Sequence, residues 1–136
     1  MPPNSVSLRN EHLEAMREHV RACVPGEACG LLGGRDGRVE VVLAVANASP
    51  KVARFRMDPQ GQLRAMLEIE AAGMELLAIY HSHPQGPEGP SAIDLAEAAY
   101  PEAAHLIWFP AAGGWCCQAF AIASGRAWPI PVRVDG

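Results

Sequence analysis

Two histidines one residue apart, in His81-Ser82-His83-Pro84, are followed by a Gly- and Pro-rich stretch and then by Ser91-Ala92-Ile93-Asp94. Together they offer two imidazoles, two hydroxyls and a carboxylate within one short segment. Neutral imidazole nitrogen and carboxylate oxygen suit zinc and its neighbours in the first transition row. Three protein ligands leave a fourth position open, as catalytic zinc does; structural zinc is closed by four ligands and is usually rich in cysteine. The chemistry expected of such a centre is metal-assisted hydrolysis.

Local structure has to bring those donors together. Glu75-Leu76-Leu77-Ala78-Ile79-Tyr80 is a short, mainly apolar run that predicts a buried strand leading into the histidines. Side chains alternate along a strand, so His81 and His83 share a face, with Cα atoms about 7 Å apart. Pro84 removes a ladder donor and ends the strand, and Gln85-Gly86-Pro87-Glu88-Gly89-Pro90 has the composition of a loop. Ser91 then reads as the N-cap of a helix. Asp94 falls in its first turn, where the helix dipole favours a carboxylate and from which it can face the two histidines. A Ser-x-x-Asp element by itself is an ordinary helix start. Strand, turn, helix start and three donors in one window are what point to a metal.

The pattern resembles the signature of the JAMM (MPN-plus) zinc metalloproteases. That family carries a catalytic glutamate well upstream, at the end of the first helix. Pro25-Gly26-Glu27-Ala28-Cys29-Gly30-Leu31-Leu32-Gly33-Gly34 resembles this element, with Glu27 in the glutamate's place. On residue type alone, Glu27 reads as an exposed strand-end side chain. Asn47, the run Arg54-Phe55-Arg56-Met57-Asp58-Pro59 and Tyr100-Pro101 are similar to the compact bacterial members. The resemblance implies one Zn2+ per chain held by His81, His83 and Asp94, with Glu27 as general base. For Ser91 it implies a hydroxyl that helps hold a tetrahedral oxyanion, beside the N-cap role the residues themselves suggest. The implied substrate is an isopeptide or peptide bond after the C-terminal Gly-Gly of a ubiquitin-like protein. Short connections resemble the minimal bacterial type, whose expected partners are sulfur-carrier proteins with a Gly-Gly tail.

The remaining sequence describes the scaffold. Asn10 can cap a first helix with Leu13, Met16, Val20 and Cys23 near one face, ending at Pro25. Residues 28–32 and 39–46 predict two strands around Arg35-Asp36-Gly37-Arg38, a tight hairpin turn. Asp58-Pro59 opens a second helix, with Leu63, Met66 and Leu67 expected inward and Gly73 as its stop. Residues 105–109, 116–123 and 127–134 predict the closing strands. The fold class expected is α/β: a mixed, mostly antiparallel sheet flanked by about three helices, the first on one side. The family resemblance adds that this single domain over 1–136 is cytidine-deaminase-like. The His-x-Glu and Pro-Cys-x-x-Cys motifs of the deaminases themselves are absent.

Composition fits one soluble enzyme domain. At 136 residues, with 49% hydrophobic and 19% charged residues, the chain is long enough for one core and short for two. A formal net charge of −4 offers no basic stripe for a nucleic-acid backbone. No apolar run approaches the roughly 18 residues of a membrane span, and Met1-Pro2-Pro3-Asn4-Ser5 lacks the features of a signal peptide, so a cytoplasmic setting is expected. Cys23, Cys29, Cys116 and Cys117 form no Cys-x-x-Cys pair and are expected as buried small hydrophobes. The other histidines are read as structural: His12 and His19 as a solvated pair on the first helix, His105 as a sheet-end residue. Trp108, Trp115 and Trp128 are expected in core or edge packing. Two rival readings belong to other classes, a non-catalytic scaffold on the same fold and a cupin-like metal-binding barrel. The second fits His81-x-His83 followed by Glu88 but lacks that family's glycines and suits a helix-poor chain.

Overall fold

In a computed structural model, the described residues are 1–49 and 55–136, the side chains of Ala96 and Glu97 excepted. Eight strands and three helices follow in the order β1 (Val6–Leu8), α1 (Asn10–Cys23), β2 (Cys29–Arg35), β3 (Arg38–Val45), α2 (Pro59–Ala71), β4 (Glu75–Ser82), α3 (Ala92–Glu97), β5 (Ala104–Ala111), β6 (Gly114–Ala123), β7 (Arg126–Ile130) and β8 (Val132–Val134). The strands form a single sheet in the order β7-β6-β5-β4-β2-β3-β1-β8. The β2–β3, β2–β4, β5–β6 and β6–β7 pairs are antiparallel, whereas β4–β5, β1–β3 and β1–β8 are parallel. The expected α/β class and mixed sheet are therefore present. Three helices among the described residues, packed on the sheet, do not suit the all-β cupin-like barrel.

Strand alternation sorts the side chains of this sheet into two cores. On one face Leu32, Ala78, Tyr80, Leu106 and Trp108 pack with Met16 and Val20 of α1. Each such fully buried large side chain contributes about 1.5–3 kcal/mol over its exposed state. On the other face Leu31, Cys29 and Ile79 pack with Ala65 and Ile69 of α2, and Ile107, Phe120 and Ile122 lie under Leu95 of α3. Tyr80 ties α1 to β4: its ring lies over Gly30, where a Cβ would come within 2.3 Å, and its hydroxyl meets His19 Nδ1 at 2.7 Å.

The predicted punctuation is in place. Asp36 and Gly37 both have positive φ, 52° and 74°, as the two-residue β2–β3 hairpin requires. Asp58 caps α2 by accepting the Gly61 N–H at 2.9 Å, and Gly73 follows the helix with φ 72°.

Several expectations are corrected. Helix α1 is capped at Arg9, not Asn10, and its first turn is satisfied by the His12 ring, whose Nδ1 accepts the Arg9 N–H at 3.0 Å. His12 and His19 are thus no solvated pair: one is buried, the other engaged with Tyr80. On α2, Leu63 and Leu67 are 60% and 55% exposed, and the helix presents Gly61, Ala65 and Ile69 to the sheet instead. These residues recur every four positions and are small at two of three, so the helix can close on Val45 and on Gly33. The last expected strand is two, separated only by Pro131: β7 pairs with β6 while β8 pairs with β1, so the sheet curls until its first and last strands meet there. Among the cysteines, all free, Cys29 is buried, Cys23 and Cys117 are half-buried and Cys116 is exposed, because adjacent strand residues face opposite ways.

Candidate metal centre

The metal-binding candidates come from the end of β4 and the start of α3. Cys29 pairs with His81 and Ile79 with His105, so His81 emerges on the α2/α3 face of the sheet. His83 follows just past the strand, its N–H donating to the Trp108 carbonyl at 2.7 Å. The loop then returns, and Ser91 opens α3 with a reciprocal capping box. Ser91 Oγ accepts the Asp94 N–H at 3.1 Å and the Ser91 N–H donates to Asp94 Oδ2 at 2.8 Å.

That cap aims Asp94 Oδ2 at the histidines. The oxygen lies 3.3 Å from His81 Nε2 and 3.2 Å from His83 Nε2, and the two nitrogens are 3.0 Å apart. A tetrahedral zinc with bonds of 2.0–2.1 Å separates its donors by about 3.3 Å, so this triangle fits one face of a zinc coordination shell. Ring orientation agrees with that use. His83 Nδ1–H donates to the Pro87 carbonyl at 2.9 Å, fixing the tautomer whose Nε2 lone pair faces the triangle, and Phe55 stacks on His81 with ring centroids 4.3 Å apart. Two buried imidazoles nitrogen to nitrogen at 3.0 Å share at most one proton; a cation satisfies both lone pairs together.

Glu27 approaches from the other side of β4. It lies two residues before Cys29, so alternation puts it on the face of Cys29 and His81. It is 6% exposed, which corrects the strand-end reading, and a carboxylate oxygen comes within 4.8 Å of the His81 and His83 nitrogens. Glu27 could itself be taken for a ligand. The shorter distances favour Asp94, leaving Glu27 one water molecule's reach from the triangle.

The two carboxylates differ in electrostatics as in position. Burial pushes Glu27 up to about 7, His83 pulling against the rise and Asp94 adding to it. Burial also works against ionisation of Asp94, but the two imidazoles facing its Oδ2 and the Ser91 N–H outweigh it and hold this carboxyl well below the usual carboxylate range. Asp94 is thereby favoured as an anion, the charge that suits a cation, whereas Glu27 changes charge near neutral pH. Cys29 beside Glu27 is no competing nucleophile, since burial pushes its thiol up to about 12.

All five sequence candidates, His81, His83, Asp94, Glu27 and Ser91, line one pocket of about 440 Å³. Other contributors had no role assigned from sequence. Asn47 Nδ2 donates to the Glu27 carbonyl at 2.9 Å while its Oδ1 accepts the Arg56 N–H at 2.9 Å, stapling the Glu27 segment to residues 55–58. Arg54 of the same motif lies outside the described residues. His105 is buried in the pocket wall instead of ending the sheet in solvent, and burial lowers it to about 4, so it is neutral at physiological pH. Its signal in the sequence was the two-residue step to Ile107, readable only once β5 is known to pair with β4.

The family described as prokaryotic homologs of the JAB domain matches residues 9–128. The chain belongs to that family. It is 42% identical over 89 residues to a probable TtuB-protein conjugate cleaving protease of Thermus thermophilus, covering 65% of this chain and 60% of the relative. It is 36% identical over 110 residues to a desampylase of Haloferax volcanii, covering 78% of each. A CysO-cysteine peptidase of Mycobacterium tuberculosis is 33% identical over 102 residues, 74% of this JAB-family chain and 70% of the relative. Among solved structures, a protein from Desulfitobacterium hafniense superposes with a TM-score of 0.86 at 34% identity, covering 96% of this chain and 92% of that one. A structure described as JAMM, a metalloprotease-like zinc site in the proteasome and signalosome, shares the fold at a TM-score of 0.54 and 16% identity, covering 93% and 96%.

Proposed function

We propose that this JAB-family protein is a zinc metallopeptidase that hydrolyses the isopeptide or peptide bond after the C-terminal Gly-Gly of a ubiquitin-like protein, a sulfur carrier in particular. The observation that carries the reading is the triangle of His81, His83 and Asp94 with a second, protonatable carboxylate within a water's reach. The relatives, one named a conjugate-cleaving protease, one a desampylase and one a peptidase, support a protein-conjugate substrate.

His81, His83 and Asp94 hold the zinc in this reading. When bound, zinc supplies Lewis acidity, polarising a carbonyl and lowering the pKa of a water to about 7. Glu27 orients the attacking water, takes its proton and delivers it to the departing amine. Ser91 keeps both suggested roles: Oγ accepts the Asp94 amide, and its own O–H remains a donor for the developing oxyanion. Glycines at the tail's end present only backbone, which suits a narrow approach to buried donors.

We further infer a single domain over 1–136, related at the finer level to the cytidine-deaminase-like fold. The continuous sheet with helices on both faces and donors at a strand–helix junction supports that relationship. Among the described residues no helix is long and apolar enough to cross a membrane. The free cysteines support a reducing, cytoplasmic compartment.

The test offers zinc-loaded protein a panel of ubiquitin-like and sulfur-carrier proteins joined through Gly-Gly carboxyls to cysteine, lysine or a short peptide. Release of the carrier with a free Gly-Gly terminus is expected, and abolished by a chelator. Absence of cleavage across the panel would overturn the substrate assignment.

A further inference from the structure

Ser82 stands between the two histidines, yet alternation turns its side chain to the opposite face of the sheet, where it is fully buried. It is joined to Ala28 twice. The Ser82 N–H donates to the Ala28 carbonyl at 3.0 Å, and the Ala28 N–H donates to Ser82 Oγ at 2.8 Å. Opposed residues that form a hydrogen-bonded pair of an antiparallel ladder exchange both bonds through their backbones. Here the β2–β4 register ends with Cys29 opposite His81, and one step further a side-chain oxygen replaces the backbone acceptor.

That replacement falls where the chain must depart from the ladder. Glu27 immediately precedes Ala28, and its carbonyl is held on the far side by Asn47 Nδ2 at 2.9 Å. The hydroxyl lets the chain leave β4 while both polar groups of the Ala28 backbone stay bonded to the segment that carries His81 and His83. From this geometry we infer that Ser82 is a positioning residue for Glu27, setting the distance between the proton-carrying carboxylate and the paired imidazoles. The inference rests on the proton-transfer role given to Glu27 above. Thr offers the same hydroxyl; Ala and Val offer no acceptor for the Ala28 amide.

Ser82→Ala and Ser82→Thr test it, with the full chain and whichever Gly-Gly conjugate the unaltered zinc-loaded protein cleaves. Misplacing a reacting group by about 1 Å costs on the order of 100-fold in rate. Ser82→Ala is therefore expected to melt cooperatively and keep its full zinc complement, with kcat reduced about 100-fold and KM within about two-fold. Ser82→Thr should recover most of kcat. A readout independent of activity and metal is hydrogen exchange at the Ala28 amide: protected in the unaltered protein and in Ser82→Thr, and unprotected in Ser82→Ala.

Unchanged kcat in Ser82→Ala, or a fall in kcat only in proportion to lost zinc, would overturn the inference. So would a folded Ser82→Thr as slow as Ser82→Ala; if threonine's extra methyl prevents folding, the alanine variant and the Ala28 amide decide alone. Failure of the underlying reading looks different: the unaltered protein cleaves nothing, or Glu27→Gln remains active, and either result removes this inference as well.

Discussion

The two arms of the site are built over very different stretches of chain. One runs from His81 to Asp94 and is assembled by neighbours: a strand end, a turn held by the His83–Pro87 hydrogen bond, and a helix cap that aims its own carboxylate. The other is Glu27, more than fifty positions upstream, which reaches the histidines through the pairing of β2 with β4, with Asn47 holding its carbonyl and Ser82 the backbone of Ala28 beside it. The short arm gathers the donors proposed to bind the metal, and the long arm brings in the carboxylate proposed to move the proton. Separating them lets each be damaged without the other.

Substitutions can break that division or sharpen it. The largest effect belongs to Asp94→Ala, which removes the proposed ligand, the acceptor of the Ser91 amide and the carboxylate facing both histidines. Peptidase activity is expected to fall to background together with zinc in a metal-content assay. Glu27→Gln should retain zinc while losing about 100- to 10,000-fold in kcat, the usual worth of a positioned acid–base group. If Glu27→Gln loses zinc as readily as Asp94→Ala, the two arms are not distinct and Glu27 is a ligand. Ser91→Ala lies between the arms, since it loses both a cap and an oxyanion donor. A loss of about 100- to 1,000-fold in kcat is expected, accompanied by about 1 kcal/mol in a denaturation midpoint; a stability change with full kcat would leave only the cap. The smallest effect is expected at Tyr80→Phe, on the face of β4 away from the pocket. Loss of its hydrogen bond to His19 should cost about 0.5–1.5 kcal/mol in urea unfolding and leave kcat unaltered.

Burial distinguishes the same two faces for the helices. α1 packs with a conventional apolar stripe, and Met16 and Val20 were legible from spacing. α2 carries an equally plausible stripe in Leu63, Met66 and Leu67, but two of the three face solvent. The glycine-rich β2 presents little side-chain height at Gly33, so α2 approaches on its Gly61–Ala65–Ile69 side. Hydrophobic periodicity identifies a face that could be buried; it carries no information about the height of the surface that receives it.

What the sequence alone determined is whatever obeys short-range rules. The strand into His81 and His83, the Pro-Gly turn, the Ser91–Asp94 cap, the Asp36-Gly37 hairpin and the start and stop of α2 follow from φ preferences, alternation and capping. The family resemblance added Glu27 as a position without a physical reason for it. Tertiary structure decided the rest: that Glu27 is buried on the His81 face, that His105 enters the same pocket wall, that Ser82 bonds Ala28 and Asn47 bonds Glu27, and that β8, one residue after β7, pairs with β1. Each depends on strand pairing between distant segments, which period-two alternation permits in many registers and which only the packing of the whole sheet selects.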